Sequence, residues 1–305
     1  MVTGLFTHDD CLNHVTPPGH PEQVARLHVI KQALEPLSLD RRSAPLCDDT
    51  DILLCHPQSY LDHIRAAVPE NGIVTLDEDT HMSPGSLQAA RRAVGGVISA
   101  VDAVMSGDLT NAFVGCRPPG HHAEPETQMG FCLFGNVAIG AKHALSKGAR
   151  RVVIVDFDVH HGNGTQALLW NEPDILFFSS HQSPLWPGTG GENERGAFDQ
   201  IVNLPLPPHS GSTEMRQTYE ASVFPMIEAY APDLLMISAG FDAHQADPLA
   251  QLNWTTEDYT WLTENLLALA DRHCNGRVVS VLEGGYDLTA LANSVAAHVT
   301  ALIRA

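Results

Sequence analysis

Five short segments of this 305-residue chain are apolar on both faces, and helical segments separate them. Strands of this kind are buried inside a parallel sheet, and their alternation with helices is typical of α/β folds. We therefore expect one α/β domain over residues 1–305, with functional groups at the carboxyl ends of its strands. The predicted strands are Asn111–Cys116, Arg151–Asp158, Asp174–His181, Asp233–Gly240 and Arg277–Gly284, and the predicted helices are Ser86–Met105, Asn136–Lys147, Ser212–Tyr230 and Thr256–His273.

Composition and charge narrow the functional classes. The chain is 44% hydrophobic and 17% charged, which suits a globular protein with a large core. No apolar stretch reaches the roughly 18 residues that span a membrane. The net charge of −19 opposes binding to nucleic acids or anionic membranes and favours cationic substrates. The start, MVTGLFTHDD, lacks signal-peptide features, and none of the six cysteines forms a C-x-x-C pair, so we expect a cytoplasmic protein with reduced thiols.

One predicted strand leads into the sequence DFDVHHGNGT. Because side chains alternate along a strand, Asp156, Asp158 and His160 would point to one side if the extended backbone continued. Such carboxylates are costly to bury unless they are paired or bind a metal. Asp242 follows a second strand and completes a set of two carboxylates and one imidazole. Three protein ligands are typical of catalytic zinc, although two carboxylates also suit iron or cobalt.

Two adjacent histidines follow another predicted strand, in the sequence RPPGHHA. A water activated by a metal needs a base to take its proton and an acid to protonate a leaving amine, and His121 and His122 can fill both roles. The nearest candidates to set their pKa values are Asp156 and Asn163. A tyrosine hydroxyl after Gly-Gly, at Tyr286, can donate to a developing oxyanion.

Together, RPPGHHA, DFDVHHGNGT, SAGFDAHQADPL and LEGGYDL resemble the motifs of the zinc-dependent histone deacetylase superfamily in order and spacing. This group also contains acetylpolyamine amidohydrolases and acetoin-utilisation proteins. The opening segment, with His20-Pro21-Glu22 and Arg26, is similar to this family as well. Asn163, where class I enzymes carry Asp, resembles the class II branch. The resemblance implies a three-layer arginase-like fold, with helices flanking a central, mostly parallel sheet of about eight strands.

The resemblance also implies the chemistry. The reaction would hydrolyse an N-acyl group on lysine in a peptide or protein, or on a small amine. It would release the acid and a free amine. His122 would be the general base, His121 would be mainly electrostatic and paired with Asp156, and Tyr286 would polarise the acyl carbonyl. The implied ligands are Asp158, His160 and Asp242 for zinc, and Asp156, Asp158, His160, Ser179 and Ser180 for one or two monovalent cations, usually potassium.

In this family, two aromatic rings wall the tunnel that takes the acyl-lysine. Gly130 and Phe131 supply one wall here, and Trp186 replaces the usual Phe of the other, which would narrow the tunnel or change its acyl-chain tolerance. A polyamine-preferring relative carries Glu seven residues after the zinc-ligating Asp. Leu249 at that position supplies no charge, which favours acyl-lysine over acetylpolyamine.

Three alternatives differ from this interpretation. An acetylpolyamine or other small-amide hydrolase would share the catalytic set. A binuclear manganese hydrolase of the arginase type would need a D-A-H-x-D run, where this chain reads D-F-D-V-H-H. A non-catalytic, protein-binding member would lack Tyr286 or a zinc ligand. Because every expected catalytic position is filled, the sequence favours a zinc-dependent deacylase.

Overall fold

An eight-stranded sheet forms the centre of the computed structural model, which describes residues 2–304. In chain order the strands are β1 (Thr3–Thr7), β2 (Asp40–Ser43), β3 (Val74–Thr75), β4 (His81–Met82), β5 (Asn111–Val114), β6 (Val152–Asp156), β7 (Ile175–Gln182), β8 (Ile201–Leu206), β9 (Leu234–Ala239) and β10 (Val278–Leu282). The large sheet has the order β2–β1–β5–β10–β9–β6–β7–β8, and all its pairings are parallel. Strands β3 and β4 form a separate antiparallel pair. The predicted α/β class is confirmed.

Helices cover both faces of this sheet. They are α1 (Ala25–Leu34), α2 (Asp49–Ile52), α3 (Gln58–Ala66), α4 (Ser86–Met105), α5 (Asn136–Ser146), α6 (Asn163–Leu169), α7 (Ser212–Thr218), α8 (Phe224–Tyr230), α9 (Thr256–Cys274) and α10 (Leu288–Arg304). On β5, Phe113 packs against His298 of α10, while Val114 lies against Gly96 of α4. Because consecutive strand residues point to opposite faces, α4 and α10 lie on opposite sides of the sheet, which makes three layers. No helix within residues 2–304 is long and apolar enough to cross a bilayer.

The five predicted strands are all present, with most ends one or two residues inside the predicted bounds. Within the large sheet, strands β1, β2 and β8 escaped prediction. The last two are the edges of the sheet, where β2 reads DRRS and β8 contains Pro205. Polar residues and proline are tolerated at edges and mask the strand signal. The helix predicted over 212–230 contains a π-helical turn at Tyr219–Val223.

A fully buried histidine, His298, packs between α10 and the sheet. The Thr263 hydroxyl donates to the Tyr259 carbonyl, so its oxygen accepts the Nδ1 hydrogen of His298 at 2.7 Å. The Ser280 hydroxyl then donates to Nε2 at 2.8 Å. The imidazole is therefore neutral, and burial lowers the pKa of His298 from 6.5 to about 3.

Acid should destabilise the fold through His298. The unfolded chain binds a proton there below pH 6.5 and the folded chain only below about pH 3, so this stabilisation is complete above 6.5 and is lost as the pH falls. Between about pH 7.5 and about pH 5, the loss is about 2 kcal/mol of unfolding free energy. In urea denaturation, His298→Gln should lose about 2 kcal/mol less than the wild type over that interval. Equal losses in the two proteins would contradict a neutral, buried His298.

Candidate active site

Four neighbouring strands in the middle of the sheet, β5, β10, β9 and β6, carry most of the polar residues singled out from the sequence. Because all four are parallel, their carboxyl ends meet at one edge, where sites form in such sheets. The residues that follow these strands are His121 and His122 after β5, Tyr286 after β10, Asp242 after β9, and Asp158 and His160 after β6.

The backbone after β6 differs from the predicted geometry. The strand ends at Asp156, so the extended backbone assumed as far as His160 is wrong. Asp156 Oδ1 accepts the N–H of Asp158 at 3.1 Å, and Asp158 Oδ1 accepts the N–H of His160 at 2.9 Å. Short Asp side chains readily bond to the backbone two residues on, which curls the chain. The side chains of Asp158 and His160 still lie together.

Asp158, His160 and Asp242 are the one group of His, Cys, Asp or Glu side chains within residues 2–304 whose ligand atoms are placed for a metal, all within 4.8 Å of one another. His160 Nδ1 lies 3.1 Å from Asp158 Oδ1 and 3.2 Å from Asp242 Oδ2. Asp242 Oδ2 is buried and receives no well-aligned hydrogen bond. A Cβ on Gly284 would overlap both carboxylates, so glycine lets the chain pass beside them. An orphaned, buried carboxylate oxygen fits a bound cation.

The charges within this group depend on one another. Burial raises the pKa of Asp242, and the negative charge of Asp158 raises it further. Burial lowers the pKa of His160, but its contacts with Asp158 and Asp242 outweigh that and raise it to about 10. The metal-free group therefore holds a proton on His160. Because a metal-ligating imidazole must be neutral, metal binding would release that proton.

His121 is built to carry positive charge. Its ring lies 3.9 Å from that of His122, and its Nδ1 lies 3.0 Å from Asp156 Oδ2. Burial lowers the pKa of His121, but the charges of Asp158 and Asp156 outweigh burial and raise it well above its usual value. An imidazole held protonated supplies a fixed charge to the site.

His122, in contrast, is held in its neutral form. Its Nδ1 lies 2.7 Å from Asn163 Oδ1. Burial, followed by the positive charges of His121 and His160, lowers the pKa of His122 well below its usual value. A neutral imidazole can accept a proton, whereas the cationic imidazole beside it supplies positive charge, so the two histidines suit different roles.

Tyr286 is held through both its backbone and its ring. Asp247 Oδ2 accepts the Tyr286 N–H at 2.7 Å. The guanidinium carbon of Arg26 lies 5.0 Å from the centroid of the Tyr286 ring, and the Phe131 ring packs edge-on at 5.8 Å. Burial raises the pKa of Tyr286 well above 10, so its hydroxyl keeps its proton and can donate it in a hydrogen bond.

The residues proposed for the tunnel lie around these groups. The Trp186 ring lies 4.8 Å from His122 and is 41% exposed, and a Cβ on Gly130 would overlap the His122 ring and crowd that of Trp186. Phe131 contacts Tyr286, as described above. Leu249 is half-buried, and its N–H donates to Asp247 Oδ1 at 3.0 Å.

The two serines suggested for a monovalent cation lie on β7 beside β6. Ser179 pairs with Asp156 in the sheet register, and its Oγ lies 3.1 Å from His181 Nδ1. The Ser180 hydroxyl lies 2.7 Å from the hydroxyl of Tyr219. The Ser180 side chain is therefore engaged outside the β6 turn.

A buried charge network supports the site from the N-terminal segment. Glu22 is fully buried and contacts the guanidinium groups of both Arg26 and Arg117. Arg26 also donates to the carbonyl of Gly285 at 2.7 Å. This network ties the first helix to the loop that carries the site tyrosine, a connection that no local pattern indicated.

Two further buried carboxylates hold loops of the site, although sequence reasoning gave them no role. Glu283 Oε2 accepts the N–H of Gly120 at 2.7 Å and that of His121 at 3.1 Å. Asp247 holds Tyr286 in the corresponding way. Each stands inside a recognisable motif, which is the signal that singles it out, but its partner lies far away in sequence.

Comparisons of sequence and of structure with known proteins agree with one another. The sequence model of the "Histone deacetylase domain" matches residues 20–302. A "Probable deacetylase" of Archaeoglobus fulgidus is 37% identical over 297 residues, covering 94% of this chain and 82% of that protein. A "Histone deacetylase-like amidohydrolase" of Pseudomonas aeruginosa is 38% identical and covers 89% of this chain and 74% of that protein. The crystal structure of the HDA15 HD domain superposes with a TM-score of 0.94 at 31% identity, covering 100% of this chain and 89% of that one.

Proposed function

We propose a lysine deacylase function on the basis that this chain belongs to the histone deacetylase family and is a hydrolase that acts on amides. In this proposal it removes acetyl or other acyl groups from the Nε of lysine in peptides and proteins. The observation that carries the proposal is the buried group of Asp158, His160 and Asp242 beside two histidines of unlike charge. We further propose that residues 1–305 form one catalytic domain of the class II type. Six free cysteines support a cytoplasmic location.

Asp158, His160 and Asp242 would hold a zinc ion. When bound, zinc supplies positive charge that polarises an amide carbonyl and favours deprotonation of water. The donor set fits this ion because three ligands leave a position open, as catalytic zinc sites do. Asp156, Ser179 and Ser180, with Asp158 and His160, are proposed to hold a potassium ion beside β6. The pairing of Asp156 with Ser179 supports that site.

His122 acts as the general base. Its Nδ1 is committed to Asn163, so Nε2 is the nitrogen that takes a proton from the attacking water and returns it to the leaving amine. The lowered pKa keeps His122 neutral and ready to accept. His121, protonated beside Asp156, stabilises the negative charge that develops during the reaction and transfers no proton.

The Tyr286 hydroxyl donates a hydrogen bond to the acyl oxygen as negative charge develops there. Phe131 and Trp186 contact the alkyl chain of the substrate. Leu249, at a half-buried position, adds an apolar surface and no charge. These features support lysine, with an apolar stem, over a polyamine that carries a second cation.

The ratio of kcat/KM for an acetyl-lysine peptide to that for N8-acetylspermidine tests the substrate. We expect the zinc-loaded protein in potassium buffer to prefer the peptide. Leu249→Glu should shift the ratio towards the polyamine by about tenfold, because a carboxylate attracts the distant ammonium, and Leu249→Gln should not. A wild-type preference for the polyamine would make the chain a small-amide hydrolase. Hydrolysis of neither amide would reject deacetylation.

A further inference from the structure

Glu124 ends a line of hydrogen bonds that starts at the proposed base. His122 Nδ1 lies 2.7 Å from Asn163 Oδ1, and Asn163 Nδ2 lies 2.8 Å from Glu124 Oε1. The His122 and Asn163 side chains are buried, whereas Glu124 is half-buried. Asn163 Nδ2 also lies 3.3 Å from the Met129 sulfur, a weak acceptor.

The chemistry of these groups fixes the direction of each hydrogen bond. An ionised carboxylate only accepts, so the NH2 group of Asn163 must face Glu124. The carbonyl oxygen of Asn163 then faces His122 and also only accepts. His122 must therefore carry its hydrogen on Nδ1, which leaves Nε2 bare.

The surroundings of Glu124 suit it to this role. Its N–H donates to the Thr127 carbonyl at 2.9 Å, which fixes the turn. The next carbonyl, of Pro125, lies 3.1 Å from His56 Nδ1, while His56 Nε2 accepts the N–H of Gly135. Among residues 2–304 no Lys, Arg or His forms an ion pair with Glu124. Within this part of the chain, the Glu124 carboxylate therefore accepts its side-chain hydrogen bond from Asn163.

We infer that Glu124 is a positioning residue, which orients the Asn163 amide and thereby holds His122 in the tautomer with a bare Nε2. The inference rests on the proposed function for its catalytic meaning. The tautomer itself is a property of the folded protein and can be measured without any substrate.

Nitrogen chemical shifts of 15N-histidine in the zinc-loaded protein report which ring nitrogen carries hydrogen, and His122→Ala identifies the signals. The wild type should show His122 protonated on Nδ1 alone. Glu124→Gln should add the form protonated on Nε2, because a glutamine can donate to Asn163 and let its amide turn over. Glu126→Gln is the matched control. It removes a carboxylate two residues away, on an exposed side chain that bonds to Ser59, and should leave the shifts unchanged. Unchanged His122 shifts in Glu124→Gln would overturn the inference.

Kinetics on the acetyl-lysine peptide distinguish positioning from a structural role. Glu124→Gln should lower kcat/KM by about tenfold, as losses of such supporting hydrogen bonds do, with zinc content and Tm kept. In an Asn163→Asp background, Glu124→Gln should instead raise kcat/KM. Both oxygens of an aspartate can accept from His122, so its carboxylate does not need Glu124 to orient it. Glu124 then lies beside a like charge, and Glu124→Gln removes that repulsion. The same fractional loss in both backgrounds would overturn the inference. If the wild type hydrolyses no acyl-lysine peptide, the proposed function fails while the chemical shifts still decide the role of Glu124.

Discussion

Asp242→Ala should no longer hold zinc, and its kcat/KM should fall by at least ~10³-fold. The reason is that charge stabilisation by a bound metal is worth several kcal/mol. The substitution leaves Asp158 and His160 as the only members of the ligand group, and two ligands hold zinc far less tightly than three. Zinc per chain, after dialysis at a concentration that saturates the wild type, measures the first effect. Hydrolysis of the acetyl-lysine peptide measures the second.

Thermal stability separates metal loss from misfolding in this variant. Burial and the charge of Asp158 raise the pKa of Asp242, so the two carboxylates oppose each other in the metal-free protein. Because Asp242 Oδ1 also accepts the Val159 N–H at 2.9 Å, Asp242→Ala offsets this relief with the loss of a buried hydrogen bond. The metal-free variant should therefore stay folded with a Tm near that of the wild type, and zinc should raise the Tm of the wild type only. Asp258→Ala is the control. It removes a buried carboxylate that accepts the Thr255 N–H at 2.9 Å, and should lower the Tm while keeping zinc and turnover. Full zinc occupancy in Asp242→Ala would show that the ligand set is wrong.

The central strands could be predicted because burial on both faces leaves a continuous apolar signal. Strands β6 and β9 read VVIVD and LLMISA, and the acids that follow them stand out at once. The edge strand β2 gives no such signal, because half of its surroundings is solvent. The curl after Asp156 was also missed. Alternation of side chains predicts which way they point along a strand, but not the residue at which side chain-to-backbone hydrogen bonds end that strand.

Partners far apart in sequence mark the limit of what a single sequence can predict for the site. Asp156 and Asn163 were identified as neighbours of the histidines because all belong to short polar motifs beside buried strands. Glu22 meets Arg117 across 95 positions, and Glu124 meets Asn163 across 39. A lone Glu in a polar loop looks like a solvated residue until the fold brings its partner to it.

Tyr286→Phe should lower kcat by at least ~10²-fold, which is the usual cost of removing one oxyanion donor. The hydroxyl keeps its proton because burial raises the pKa of Tyr286 well above 10. The ring should stay in place, because Arg26 and Phe131 contact it without using the hydroxyl. The loss should therefore appear in kcat with little change in KM, as expected for an interaction made mainly in the transition state.

Zinc content and Tm should remain at wild-type values in Tyr286→Phe, because no metal ligand and no backbone anchor is changed. Tyr259→Phe is the matched control. It removes a buried hydroxyl that has no hydrogen-bond partner among residues 2–304, and should leave turnover unchanged. Near-normal turnover in Tyr286→Phe would exclude the oxyanion role. An equal loss in Tyr259→Phe would attribute the effect to packing. A loss confined to Tyr286→Phe, with zinc retained, would locate charge stabilisation at this hydroxyl, since both variants remove a hydroxyl from a buried ring.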